Sequence, residues 1–139
     1  MVSLVDARET IYQRFVAQWG ATSAFTFDNE NYDPPANTPW VRLAVRHRSS
    51  TLEAIGGSGY GGLNLFQRTG VCQIQVYTPL NQGTRQSDTL VQTARNIFEG
   101  VTLASNAIRF TNVNIVEIGP DDSWYVVNVD ADFQYDERK

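Results

Sequence analysis

Between Phe66 and Gly100 the spacing of apolar residues switches from every second position to every third or fourth, which calls for layers of both sheet and helix. From Phe66 to Thr78, Cys72, Ile74 and Val76 share one side while Gln73, Gln75 and Tyr77 share the other. That is the alternation of a half-buried strand. Pro79 lacks an N–H and is expected to stop the ladder, and Asn81–Gly83 makes a turn. Leu90, Val91, Ala94, Ile97, Phe98 and Val101 then recur at amphipathic-helix steps. Thr84 is placed to cap the start of this helix, and Gly100 stands where a left-handed residue ends it. A strand passing into a helix with one apolar stripe requires a sheet covered by helices. It carries no catalytic constellation.

The flanking segments fit the same plan. Ser3, with Asp6 in the first turn, opens a helix over Leu4–Trp19 whose stripe holds Leu4, Ile11, Tyr12, Phe15 and Trp19, closed by Gly20. Ala24–Asp28 reads as a short strand, and Asn29–Pro39, rich in Asn, Asp and Pro, as a loop. In Trp40–His47, Val41, Leu43 and Val45 point one way and Trp40, Arg42, Ala44 and Arg46 the other. The stretch Arg48–Asn64 holds five of the ten glycines and is expected to form a long hairpin with a projecting tip. Such a glycine-rich loop has a high ordering entropy, so it is expected to be disordered alone and ordered against a partner. Ile108–Ile118 is a strand with a phase fault: Ile108 and Phe110 share one parity, Val113 and Ile115 the other. A bulge near Thr111–Asn112 reconciles them. Gly119–Ser123 is a turn, and Trp124–Tyr135 is a strand with Tyr125, Val127, Val129, Ala131 and Phe133 inward and Asn128, Asp130, Asp132 and Gln134 outward.

At 139 residues the chain is long enough for its own core, and a single domain over residues 1–139 is expected. The net charge of −4 argues against a general nucleic-acid binder, whose footprint would be basic. The lone Cys72 cannot form an intramolecular disulfide and reads as a small core residue. No secretory leader is expected, and no apolar run approaches the roughly 20 residues that span a bilayer.

Three motifs invite a chemical reading. Gly57-Ser-Gly-Tyr-Gly-Gly62 matches G-x-G-x-x-G in form, but a strand follows it where a dinucleotide site needs a helix. Asp121, Asp122, Asp130 and Asp132 lack the further ligands of a cation shell. His47 has no nucleophile placed beside it. No catalytic, cofactor or metal residue is assigned. The more informative pattern is charge: Arg42 and Arg46 lie on the outward side of one strand, Asp130 and Asp132 on that of another. They are either solvated or paired within the subunit, or they form a self-complementary surface in a ring.

Thr38-Pro-Trp-Val-Arg-Leu43, Arg68-Thr-Gly70, Tyr77-Thr-Pro79, Phe98-Glu-Gly100, Gly119-Pro-Asp-Asp-Ser-Trp-Tyr125 and Phe133-Gln-Tyr-Asp136 occur in that order. Together they resemble the tail terminator-like proteins of long-tailed bacteriophages, over nearly the whole length. The resemblance implies an α+β fold, a mixed, mostly antiparallel sheet with two main helices on one face and a protruding hairpin. It also implies a structural, non-enzymatic role without cofactors: a ring of this chain, commonly hexameric, that caps the tail tube and offers the docking surface for the head. Its partners would be itself, the tail tube protein and the head–neck connector proteins, with no membrane and no specific nucleic acid, though DNA would pass through the lumen. It would sit at the head-proximal end of the virion tail after assembly in the host cytoplasm. Arg42, Arg46, Arg68, Asp130 and Asp132 are the candidate charged interface residues, and Gly57, Gly59 and Tyr60 the candidates at the hairpin tip. A head–tail joining protein of the same fold is the nearest alternative, and a small ligand-binding or enzymatic domain the more distant one.

Overall fold

The computed structural model describes residues 2–57, 59 and 61–139. Its elements run α1 (Leu4–Trp19), β1 (Ala24–Phe27), β2 (Trp40–Ala54), β3 (Leu65–Pro79), α2 (Arg85–Phe98), β4 (Thr102–Leu103), β5 (Ile108–Asp121) and β6 (Trp124–Arg138). This is an α+β fold in which the strands form one mixed, curled sheet, a half-barrel, ordered β1-β2-β3-β6-β5-β4. Among the described residues only the β1–β2 pair is parallel. The two middle strands of that order, β3 and β6, pair without a break from Leu65↔Arg138 to Pro79↔Trp124.

Both helices form where local signals coincide with an apolar stripe. At α1 the Ser3 hydroxyl accepts from the Asp6 N–H at 3.1 Å, and the Asp6 carboxylate accepts from the Ser3 N–H at 3.4 Å. This reciprocal cap satisfies two otherwise orphaned donors. Ala7, Ile11, Phe15 and Trp19 are buried, but Leu4 stands over the sheet's rim beside His47 and Ser50 and stays 49% exposed. At α2, Thr84 occupies the cap position without a side-chain hydrogen bond, and Gly100, at φ 69°, follows the last turn in the left-handed region. Asn81 and Gly83, both at positive φ, make the turn that leads into α2.

The core lies between the helices and one sheet face. Val41, Leu43, Val45, Cys72, Ile74, Val76, Val127, Val129, Ala131, Phe133 and Tyr135 meet Ile11, Phe15, Trp19, Leu90, Val91, Ala94, Ile97 and Phe98. Each large apolar side chain buried there contributes about 1.5–3 kcal/mol. Most of the subunit's ion pairs are substantially solvent-exposed, and such pairs are typically worth only about 0–1 kcal/mol. Burial therefore dominates the stability. Arg14 ties the helices together by donating from Nε and Nη2 to the Ile97 carbonyl at 3.2 and 3.1 Å.

Two boundaries differ from the sequence reading. β2 does not end at His47 but continues to Ala54, so the connection to β3 is shorter than Arg48–Asn64. The ladder to β3 resumes beyond a bulge at residues 48–49, from Ser50↔Arg68 to Ala54↔Leu65. A two-stranded ladder needs no apolar alternation when both its faces are in water, so periodicity could not reveal it. Likewise β5 runs through Gly119 to Asp121, and the turn shrinks to Asp122-Ser123. The phase fault in β5 is a bulge at Thr111, where register steps from Phe110↔Phe133 to Asn112↔Asp132. Another shift falls between Glu117 and Gly119.

Candidate functional site

Both α1 and α2 pack on the core face of the sheet, so among the described residues the other face carries no helix. Across it, Trp40, Arg42, Ala44 and Arg46 of β2 stand level with Tyr77, Gln75, Gln73 and Val71 of β3, and these with Val126, Asn128, Asp130 and Asp132 of β6. The two arginines and two aspartates thus share a face. Trp40, Ala44, Val71, Val126 and Asn128 are nonetheless buried on this face. Arg46 reaches Asp28 at 2.9 Å, and Asp132 reaches Arg48 at 3.6 Å. Arg42 instead lies over the Trp40 ring at 5.5 Å. Among the described residues neither Arg42 nor Asp130 has an ion pair, and each keeps one buried polar atom without a partner.

The other candidates lie toward the far end of β2. Arg68 donates from Nε and Nη2 to Glu137 Oε1 at 3.0 and 2.7 Å and from Nη1 to Ser50 at 2.7 Å. Its guanidinium also lies over Phe66 at 5.4 Å, so its donors are engaged within the subunit. Gly57 and Gly59 are exposed in the loop joining β2 to β3, and Tyr60 lies outside the described residues. This hairpin closes at Gly56, where a Cβ would sit 1.6 Å from the Leu63 carbonyl oxygen, and the Gly56 N–H donates to Asn64 Oδ1 at 3.0 Å. The candidates therefore form two groups, one on the helix-free face and one on the hairpin.

Sequence reasoning missed two features. An aromatic group closes one end of the helix-free face: Trp40 stacks on Tyr77 at 4.1 Å, with Tyr32 at 5.0 Å and Trp124 at 6.1 Å from it. Beside it the Asn29–Pro39 loop and the β5–β6 turn bound a cleft of about 360 Å³ lined by Asp33, Pro34, Asn37 and Trp124. The shared outward parity of Trp40 and Tyr77 was the available signal. The other feature is exposed apolar surface at the sheet's edges, Leu52, Ile55 and Leu63 on the hairpin and Ile115, Val116 and Ile118 on β5.

Among the described residues no group of three or more His, Cys, Asp or Glu could hold a metal ion. Burial, helped by the charge of Asp130, pushes the Cys72 thiol far above its usual range, which makes it a poor nucleophile. Burial, then the Arg8 charge, lowers the pKa of His47. Among the described residues the element that follows the G-x-G-x-x-G glycines is the strand β3, where a dinucleotide site needs an α-helix N-terminus. No helix among the described residues is long and apolar enough to cross a membrane.

A family model described as phage tail terminator protein matches residues 8–133. No curated protein matches. Several solved structures match, and one of them aligns with a TM-score of 0.63 at 16% identity, over 92% of this chain and 94% of its own. That likeness bears on the fold alone.

Proposed function

This chain belongs to the phage tail terminator protein family, whose role is structural and whose place is the virion tail, and from that premise we propose that it closes the tail tube as a ring. The observation that carries the reading is the family match across residues 8–133. The ring has six subunits, stacks on the last ring of tail tube protein and occupies its polymerising surface. Its opposite face lacks that surface, so growth stops there, and that face receives the head–neck connector proteins. The ring then sits at the head-proximal end, with DNA passing through the lumen unread. Assembly takes place in the host cytoplasm.

Features of the fold support the reading. Arg42 and Asp130 carry charge on an open face without an ion pair among the described residues, which suits contacts that set register between copies. Arg46 and Asp132 are held only by exposed pairs, which exchange for intersubunit pairs at little cost. The β2–β3 hairpin, with Gly57, Gly59 and Tyr60, and the Asn29–Pro39 loop supply the reach to the tube or to neighbours.

Electron microscopy of tail tube protein polymerised with and without the chain tests the proposal. Tubes should carry extra ring density at one end and stop growing once capped. Tubes that lengthen equally in its presence, with bare ends, would refute it.

A further inference from the structure

The sheet has two long strand edges without a neighbour among the described residues, and they differ in what they present. β1 covers β2 only from Trp40 to Leu43, and the Arg8 guanidinium takes the Val45 carbonyl at 2.8 Å, which leaves the outer edge from Arg46 to Ala54. β4 covers β5 only at Ile108 and Arg109, which leaves the edge from Thr111 to Asp121. Unpaired edges template further strands unless they are blocked. The β5 edge bears Ile115, Val116 and Ile118, each more than 40% exposed, and one charge, Glu117, between Thr111 and Pro120.

These edges match in sense, face and charge. β2 and β5 run in opposite directions on opposite sides of one sheet, so a second copy in the same orientation would add its β2 antiparallel to β5. Leu52, opposite Phe66, and Ile115, opposite Val129, both point to the helix face. Beside Ile115, between α2 and β5, lies a groove of about 230 Å³ with Val91, Ile115 and Val127 as its apolar lining and Asp88, Gln92, Arg95 and Glu117 as its polar lining. Leu52 is 51% exposed and would cover the apolar part of that lining. With Leu52 set against Ile115, antiparallel pairing brings Arg46 opposite Asp121, both on the helix-free face.

We propose that β2 of one copy adds to the β5 edge of the next, seating Leu52 in the α2/β5 groove and continuing the sheet around the assembly. This rests on the ring reading and names the contact that would build the ring. Ile115 is level with Leu43 of its own copy, so the register steps neighbours by roughly 30 Å along the strands. The strands must then incline to the ring axis, as stagger and tilt are linked in any closed sheet.

The test uses the full chain carrying Leu52→Cys and Ile115→Cys together, oxidised in the presence of tail tube protein. Native Cys72 is wholly buried and does not compete. The double variant should give a covalent ladder ending at the ring size, and each single variant only monomers. Covalent dimers from Ile115→Cys alone would mean two-fold pairing of β5 with β5 and would overturn the proposal. So would absence of a ladder: if the wild-type chain still forms rings in micrographs, the contact is wrong and the ring reading stands. If neither ladder nor rings appear, both fall, and an open-ended ladder without closure would keep the contact and sink the ring. As a second readout, Ile115→Asp should weaken assembly about tenfold or more. Val5→Asp, on an exposed apolar residue of α1, should leave assembly unchanged, with both variants folded by thermal melt.

Discussion

Trp40 lies flat on Tyr77, with ring centroids 4.1 Å apart and planes within 5°. The two residues are direct cross-strand partners in the β2–β3 ladder, and Trp40 is 6% exposed although no helix covers its face. Trp40→Ala should lower stability by about 3–5 kcal/mol, as a large buried aromatic leaves a cavity. A double-mutant cycle with Tyr77→Ala should assign about 0.5–1.5 kcal/mol of this to the ring pair, read from urea unfolding. Coupling near zero would show that the rings touch without stabilising each other.

Gly70 has no room for a side chain. A Cβ there would lie 2.5 Å from Cζ of Phe133 and 2.7 Å from the Arg46 carbonyl oxygen. Phe133 is buried and cannot swing away, and the other atom is backbone. Gly70→Ala should therefore destabilise by about 1–3 kcal/mol, visible as a lower thermal midpoint. An unchanged midpoint would mean that the strands part there at no cost.

His47 makes stability pH-dependent. Burial first, and the Arg8 charge second, lower its pKa from the ordinary 6.5. The unfolded chain then binds a proton more readily than the folded one, so acid favours unfolding. The contribution of neutral His47 is fully present above the ordinary value and is lost as pH falls through the lowered one. Urea midpoints should decline as pH drops below 6.5, and His47→Gln should flatten that decline.

Asp130→Asn with Asp132→Asn separates the two roles of the charged face. Asp130 has no ion pair among the described residues, and Asp132 has only an exposed one at 3.6 Å, so monomer stability should change by less than about 1 kcal/mol. Ring assembly on tube protein, followed by light scattering, should weaken. Unchanged assembly would leave these carboxylates as solvated surface.

The elements written most clearly in the chain are those where local chemistry and burial agree. Leu4–Trp19 carries its cap, its stripe and its closing glycine in one segment, and α1 occupies that span. The Thr111 bulge was legible because Ile108 and Phe110 must face the same core as Val113, and only one extra residue lets them. The outer half of β2 was not legible, since both its faces meet water and nothing in its composition distinguishes a ladder from a loop.

For the charged candidates, alternation alone placed Arg42, Arg46, Asp130 and Asp132 on one sheet face, because side-chain direction follows from the strand period. Which charges meet was decided in three dimensions. Arg46 turns to Asp28 after β1 comes alongside β2, and Asp132 meets Arg48, which lies in the β2 bulge. Residue order sets local conformation and facing through short-range sterics and solvent exposure. Strand order and edge coverage depend on contacts between segments far apart in the chain, and those leave no periodic trace.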